Sequence, residues 1–322
     1  MGNPSAAEAE RQPPAVSVII VSWNVRDLLR ACLLSLADRP AEFDLEVIVV
    51  DSGSADSSPE MVRREFSWAR LIARSDNVGF ARGSNIGLAA ARGEYLLLLN
   101  PDTEIVGDAL QQLVAYLEAN RRVGVVGPQL LNTDGSLQSS RRRFPSFWTA
   151  VFDSAWLRPL APPGLLVHYE AGDLPADQIA DVDWLTGACL LVRRGALEQV
   201  GGLDEAFFMF SEELDWCRRM KMAGWRVVYV PAATVLHHQG KSSEQAVPER
   251  HLNFQRAKLR YFRKYHGRLA TAGLRLVLLL VYGWQLLLEA AKGLLGHRRP
   301  LRWQRVRAYW RVLRSGLRPA GY

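Results

Sequence analysis

Five short apolar runs, each closed by a polar or Gly-rich turn and most separated from the next by a helix-length stretch, decide what this chain can fold into. Val16-Ser17-Val18-Ile19-Ile20-Val21 is a β-branched run that reads as a buried strand. Leu45–Val50, Arg70–Ala73, Tyr95–Leu99 and Val123–Val126 read the same way. Between them, Asp27–Ala37 carries Leu28, Leu29, Cys32, Leu33 and Leu36 at helical spacing, and Gly79–Ala91 and Gly107–Glu118 read as further helices. Strands alternating with helices predict an α/β fold with a mostly parallel central sheet. Ligands of such sheets sit outside the carboxyl ends of the strands. Here those ends are Trp23-Asn24, Asp51-Ser52-Gly53-Ser54 and Asn100-Pro101-Asp102.

The rest of the chain departs from this rhythm. Residues 132–182 are broken by Pro145, Pro159, Pro162, Pro163 and Pro175, and are expected to form a long loop region over the site. Beyond them Ala188–Val192, Val227–Val230 and Thr234–His237 read as strands and Glu212–Ala223 as a helix. From about Pro248 the chain turns helical and basic. Residues 251–322 hold 16 Lys and Arg against one acid, Glu289, whereas residues 1–250 hold 24 against 32. The net charge of +7 therefore hides an acidic body and a basic tail. Leu276–Ala291 has Glu289 as its single charge; at about 1.5 Å per residue it falls short of a ~30 Å hydrocarbon core. Trp303, Val306, Trp310, Leu313 and Leu317 recur at spacings of three and four among Arg302, Arg305, Arg307, Arg311, Arg314 and Arg318. This is the pattern of a basic amphipathic helix on an anionic membrane surface. Nucleic acid is not expected as a partner, because no recognised module accompanies the arginines.

With 48% hydrophobic residues the composition excludes a disordered chain or a disulfide scaffold. Cys32, Cys189 and Cys217 lie far apart without CxxC spacing, which implies reduced core thiols rather than a zinc site. Residues 1–14 have no apolar run and Ala6 breaks the myristoylation pattern, so they read as a disordered leader to a cytoplasmic protein. The expected organisation is that leader, a nucleotide-binding domain over 15–247, and a membrane-associating helical tail over 248–322.

Four stretches then occur together in order: VSVIIVSWN (16–24), VIVVDSGSADSS (47–58), NVGFARGSNIGLAAARGEYLLLLNPDTEI (77–105) and GLDEAFFMFSEELDWCRRMKMAGWRVVYVPAATVLHHQGKS (202–242). Over residues 15–245 the chain resembles the family 2 inverting glycosyltransferases of GT-A fold, in their bacterial rhamnosyltransferase-like branch. The resemblance implies a donor-nucleotide role for Asp51, Ser54, Asn77, Gly79, Arg82, Asn85 and Asn100, with Lys241 near the phosphates. On residue chemistry alone Asp51 is equally a strand-end turn residue, and Asn77–Asn85 a capped helix start.

Asn100-Pro101-Asp102 stands where the family carries its DxD-type motif, with Asn100 in the first position. Asp102 then becomes the main protein ligand for Mg²⁺ or Mn²⁺, which hard oxygen donors suit; the resemblance adds His237 to that site. Glu212-Glu213-Leu214-Asp215 opens a helix, where the dipole alone favours acids. The apolar run Phe207-Phe208-Met209-Phe210 before it predicts a dry pocket that raises a carboxyl toward a useful base. The resemblance gives the base role to Glu213, with Glu212 or Asp215 as substitutes. Trp184 and Gly187 correspond to an acceptor-side segment, although a core Trp and a turn Gly explain them as well.

The function implied is transfer of a sugar, in the branch rhamnose, from a nucleotide-diphosphate donor to a lipid-linked or cell-envelope saccharide. It would act at the cytoplasmic face of the membrane. A non-catalytic nucleotide- and membrane-binding module is the alternative that Asn100 keeps open. A dinucleotide oxidoreductase is disfavoured by the absence of GxGxxG after the first strand.

Overall fold

Every residue of the first strand, β1 (Val16–Ser22), is buried, as a strand covered on both faces must be. The computed structural model describes residues 14–38, 43–153, 156–238, 247–296 and 298–318. After β1 come α1 (Arg26–Ala37), β2 (Leu45–Ser52), α2 (Ser58–Glu65), β3 (Arg70–Arg74), α3 (Phe80–Ala90) and β4 (Tyr95–Leu99). Then follow β5 (Thr103–Val106), α4 (Ala109–Ala119) and β6 (Val123–Leu131).

The central sheet runs β3-β2-β1-β4-β11-β6-β12-β5, with β11 at Cys189–Arg193 and β12 at Arg226–His237. Strands β3, β2, β1 and β4 are parallel, β6 and β12 are parallel, and β11 is antiparallel to both of its neighbours. The chain winds from β1 outward to β2 and β3, then returns to lay β4 on the other side of β1. That reversal opens a crevice at the carboxyl ends of β1 and β4.

Period-two alternation divides β1 between two cores. Val16, Val18 and Ile20 pack with Leu29, Cys32 and Leu33 of α1 and with α4. Ile19 and Val21 face Ala81 and Leu88 of α3 and Trp216, Cys217 and Met220 of α8 (Glu212–Met222). All three cysteines are buried free thiols, in accord with the reading of reduced core residues.

Two expectations need correction. Residues 132–182 are not one long loop among those described. They hold β7 (Leu137–Gln138), β8 (Arg141–Arg142), α5 (Phe147–Phe152), α6 (Leu165–Tyr169) and β9 (Ala180–Val182), followed by β10 (Trp184–Leu185). Elements of two to six residues are too short to show a period. The two strands expected at Val227–Val230 and Thr234–His237 are one strand, β12, with an irregularity between Val230 and Thr234 that takes in Pro231. A short helix, α7 (Arg194–Val200), links β11 to the loop before α8.

The basic tail forms three helices, α9 (Val247–Tyr265), α10 (Gly267–Leu294) and α11 (Arg299–Ser315). They share a third core with the body, in which Leu259, Phe262, Leu274, Leu278, Tyr282 and Val312 join Phe207 and Leu214. The leader expected over 1–14 lies outside the described residues except for Pro14.

Candidate active site

A cleft of about 250 Å³ opens at the crevice between β1 and β4. Its floor is Ser22 and Trp23 after β1, Ser52 at the end of β2, and Asn100-Pro101-Asp102 after β4. Its far wall is Thr186-Gly187-Ala188 before β11, Glu212 and Glu213 at the start of α8, and His237 at the end of β12. Four buried polar atoms of residues lining this cleft have no hydrogen-bond partner: Ser22 Oγ, Glu212 Oε2, Glu213 Oε2 and His237 Nε2. Unsatisfied buried groups are rare, and their concentration in one cleft points to a polar ligand.

One side of the cleft is set by backbone geometry. Ser52 Oγ accepts from the Val78 N–H at 2.9 Å, and Asn77 Oδ1 accepts from the Gly79 N–H at 3.0 Å. Gly79 has φ +78° and ψ 174°, a region open essentially to Gly. A Cβ there would lie 2.4 Å from the carbonyl oxygen of Phe208. That same carbonyl accepts from the Phe80 N–H at 2.8 Å, which latches the 207–211 segment onto α3. The segment ends with two non-Gly residues in left-handed conformation, Phe210 at φ 74° and Ser211 at φ 64°. Strain of this kind collects at functional sites, and here it delivers the two glutamates into the cleft.

Burial raises the carboxyl of Glu213, with backbone N–H groups, Gly187's among them, opposing the shift. Burial also raises that of Glu212 well above its ordinary value, reinforced by the charge of Glu213. A Cβ on Gly187 would touch the Glu213 side chain at 3.5 Å, so the glycine leaves the face of that carboxylate open. Asp215 is different. Its carboxylate is fully buried and accepts from Arg219 Nε at 2.9 Å, Lys264 Nζ at 2.7 Å and Tyr265 Oη at 2.8 Å. It ties α8 to α9 and does not line the cleft, because this fourth residue of α8 points toward α9.

In the same cleft, Asp102 and His237 are both buried, with Oδ1 and Nε2 3.4 Å apart. Gln138 of β7 fixes the imidazole. Its Nε2 donates to Asn132 Oδ1 at 2.9 Å, so its Oε1 must accept from His237 Nδ1 at 2.6 Å. Nδ1 therefore carries a proton, and Nε2, without a hydrogen-bond partner, lies beside a carboxylate oxygen. A neutral His237 would offer that nitrogen, with the Asp102 oxygen, to a divalent cation, and Gln138 would be the outer partner that orients the ligand. Among the described residues no cluster of three or more His, Cys, Asp and Glu side chains could hold a metal, so the other ligands would come from diphosphate oxygens and water.

Of the residues singled out in the sequence, Asn77, Gly79, Asn100, Asp102, Gly187, Glu212, Glu213 and His237 converge on the cleft. Asp51 is buried behind it, one carboxylate oxygen accepting from the Ser54 N–H at 2.9 Å and the other without a partner. Ser54 Oγ accepts from the Asn24 N–H and clamps the β1 and β2 loops. Arg82 is exposed, 3.9 Å from Glu205. Asn85 grips the N–H and carbonyl of Leu203, supporting the loop before α8. Trp184 donates its indole N–H to the Arg143 carbonyl and lines a separate cavity behind Glu213. Lys241 lies outside the described residues. Trp23, expected at a ligand-binding strand end, does line the cleft. Ser22, Gln138 and Arg250 were not anticipated; Ser22 directly follows the apolar run of β1, whereas Gln138 and Arg250 carry no local signal.

The family model described as glycosyl transferase family 2 matches residues 17–173. The N-acetylglucosaminyl-diphospho-decaprenol L-rhamnosyltransferase of Mycobacterium tuberculosis is 32% identical over 241 residues, covering 70% of this chain and 76% of that one. This chain belongs to glycosyl transferase family 2. The transferase is also 27% identical over 235 residues to the rhamnosyltransferase WbbL of Escherichia coli, with 69% and 83% of the two chains covered. Among solved structures, the mannosyltransferase PcManGT of Pyrobaculum calidifontis, in complex with GDP-Man and Mn²⁺, superposes with a TM-score of 0.55 at 21% identity. The match covers 95% of this transferase and 85% of that chain. The fold of the transferase is thus GT-A-like and includes a C-terminal helical region.

Proposed function

We propose that this glycosyltransferase moves a sugar, rhamnose by analogy with its relatives, from a nucleotide-diphosphate donor to a saccharide carried on a polyprenyl diphosphate. The observation that carries this reading is the presence in one cleft of the buried Glu213 carboxylate, one of whose oxygens has no partner, and of the Asp102–His237 pair. The donor's diphosphate lies against Asn100 and Asp102, with Asn77 and Gly79 toward the nucleotide and Asp51 behind them. Glu213 takes the proton of the acceptor hydroxyl as that oxygen bonds to the anomeric carbon. The bond from the anomeric carbon to the diphosphate breaks on the opposite side, which inverts the configuration. Burial and the charge of Glu213 both raise the Glu212 carboxyl, which favours a protonated Glu212 beside an ionised Glu213. Asp102 and His237 would hold a divalent ion, which when bound would supply the positive charge that stabilises the leaving diphosphate.

Residues 15–247 form the donor-binding unit in this reading, and 248–322 bring it to the membrane from the cytoplasmic side. One described helix, α10, is long and apolar enough to cross a bilayer, at about 42 Å for 28 residues. Its inner face packs in the third core, however, and Glu289 on it is gripped by both terminal oxygens through Arg302 at 2.7–2.8 Å. Its outer face exposes Leu276, Leu280, Trp284 and Leu287. A helix with one protein face and one apolar face suits the plane of the interface, with the surrounding arginines on anionic headgroups.

The metal site is tested by calorimetric titration of nucleoside diphosphates with and without Mn²⁺. Asp102→Ala is expected to remove the metal-dependent part of nucleotide binding. Unchanged affinity and metal response in this variant would refute the site.

A further inference from the structure

A second cavity, of about 640 Å³, is larger than the cleft. It lies between α9, α10, α11, Asp153 and Trp156, and shares Phe210 and Arg250 with the cleft. Three rings form its wall in mutual edge contact: Trp156 and Tyr282 at 5.1 Å, Trp156 and Tyr309 at 5.2 Å, Tyr282 and Tyr309 at 5.7 Å. Gln255, 5% exposed, lines the same wall and its Oε1 has no partner. The charges around the cavity are unbalanced. Asp153 faces Lys258 at 3.5 Å, and Glu289 is shared by Arg302 and Arg305. Arg250 and Arg305 thus leave the wall with surplus positive charge, in a space that also offers aromatic faces and a buried hydrogen-bond acceptor.

Guanidinium groups recognise diphosphate, while aromatic faces and amide oxygens recognise a sugar ring and its hydroxyls. The cavity is also placed for such a ligand. One end adjoins the cleft through Phe210 and Arg250. Leu301 and Gln304 in its wall belong to α11, whose Trp303 and Trp310 are exposed, as are Leu276, Leu280, Trp284 and Leu287 of α10. We propose that this cavity is the acceptor subsite: it holds the diphospho-sugar head of the lipid-linked acceptor, with the diphosphate on Arg250 and Arg305. This rests on the reading of the acceptor given above. The lipid then leaves along α10 and α11, and the sugar reaches Glu213 past Phe210.

The test is a titration of the full chain with farnesyl diphosphate while nucleoside diphosphate and Mn²⁺ saturate the cleft. One further equivalent is expected to bind. Arg305→Gln should weaken it about 10- to 100-fold, the value of a lost charge-assisted contact, and leave binding of uncharged farnesol unchanged. Gln304→Glu, a surface change on α11 that adds negative charge to the wall, should weaken it in the same direction. No binding beyond the nucleotide, or equal affinity in wild type and both variants, would overturn the subsite. Failure of sugar transfer with the titration intact would instead refute the proposed reaction and leave the diphosphate site standing.

Discussion

At the scale of single residues, the site is a set of polar groups held away from water without partners. Glu212 and Glu213 make the clearest case, because burial pushes both carboxyls up. A group whose folded pKa is raised stabilises the fold below its unfolded pKa, and that contribution is lost as pH rises through the folded value. Without ligands, Glu212→Gln should therefore raise the melting temperature at neutral pH, with the gain shrinking as pH falls toward the ordinary glutamate range near 4.5. Thermal melts across that range check it; a variant that melts below wild type at neutral pH contradicts the assignment. Asp215 shows what residue chemistry hides from a sequence. Its neighbours Glu212 and Glu213 look the same on paper, but three donors from α8 and α9 consume its carboxylate.

Elements position those residues, and most of them were legible. Runs such as Val16–Val21 and Tyr95–Leu99 can only be buried strands, so the parallel half of the sheet and the cleft at its carboxyl ends follow directly. The resemblance then located Asp102, His237 and Glu213, none of which local chemistry separates from a cap or a surface histidine. Gln138 was illegible because β7 is two residues long and its partner is 99 positions away. The latch between α3 and the 207–211 segment was equally hidden. Gly79→Ala tests it: the Gly-only dihedrals cost about 1–3 kcal/mol, and the added Cβ would collide with the Phe208 carbonyl. The expected result is a lower melting temperature together with loss of transfer, since the segment that delivers Glu213 shifts. Wild-type stability and turnover would show that the latch does not matter.

Over the whole molecule, the tail is part of the folded body. Leu274, Leu278 and Tyr282 of α10 pack with Phe207 and Leu214, which flank Glu212 and Glu213 in sequence. Removing residues 270–322 would uncover that core, so membrane attachment is better tested on the outer face. The apolar stripe read over α11 divides in the same way: Leu317 is buried, Val306 and Leu313 are half-buried, and Trp303 and Trp310 are exposed. Leu280 and Trp284 are 65% and 61% exposed. The double change Leu280→Glu and Trp284→Glu should leave nucleotide binding intact and release the chain from anionic vesicles in a cosedimentation assay. Retention at the wild-type level would mean that these residues do not meet lipid.

The most direct test of the whole account is the turnover of Glu213→Gln at saturating donor, read beside its nucleotide affinity. The substitution keeps the size of the side chain and removes its capacity to take a proton. We predict unchanged nucleotide affinity and a fall in sugar transfer of roughly 10²–10⁴-fold, the usual worth of a positioned general base. Transfer near the wild-type rate would contradict the assignment of Glu213 as the base.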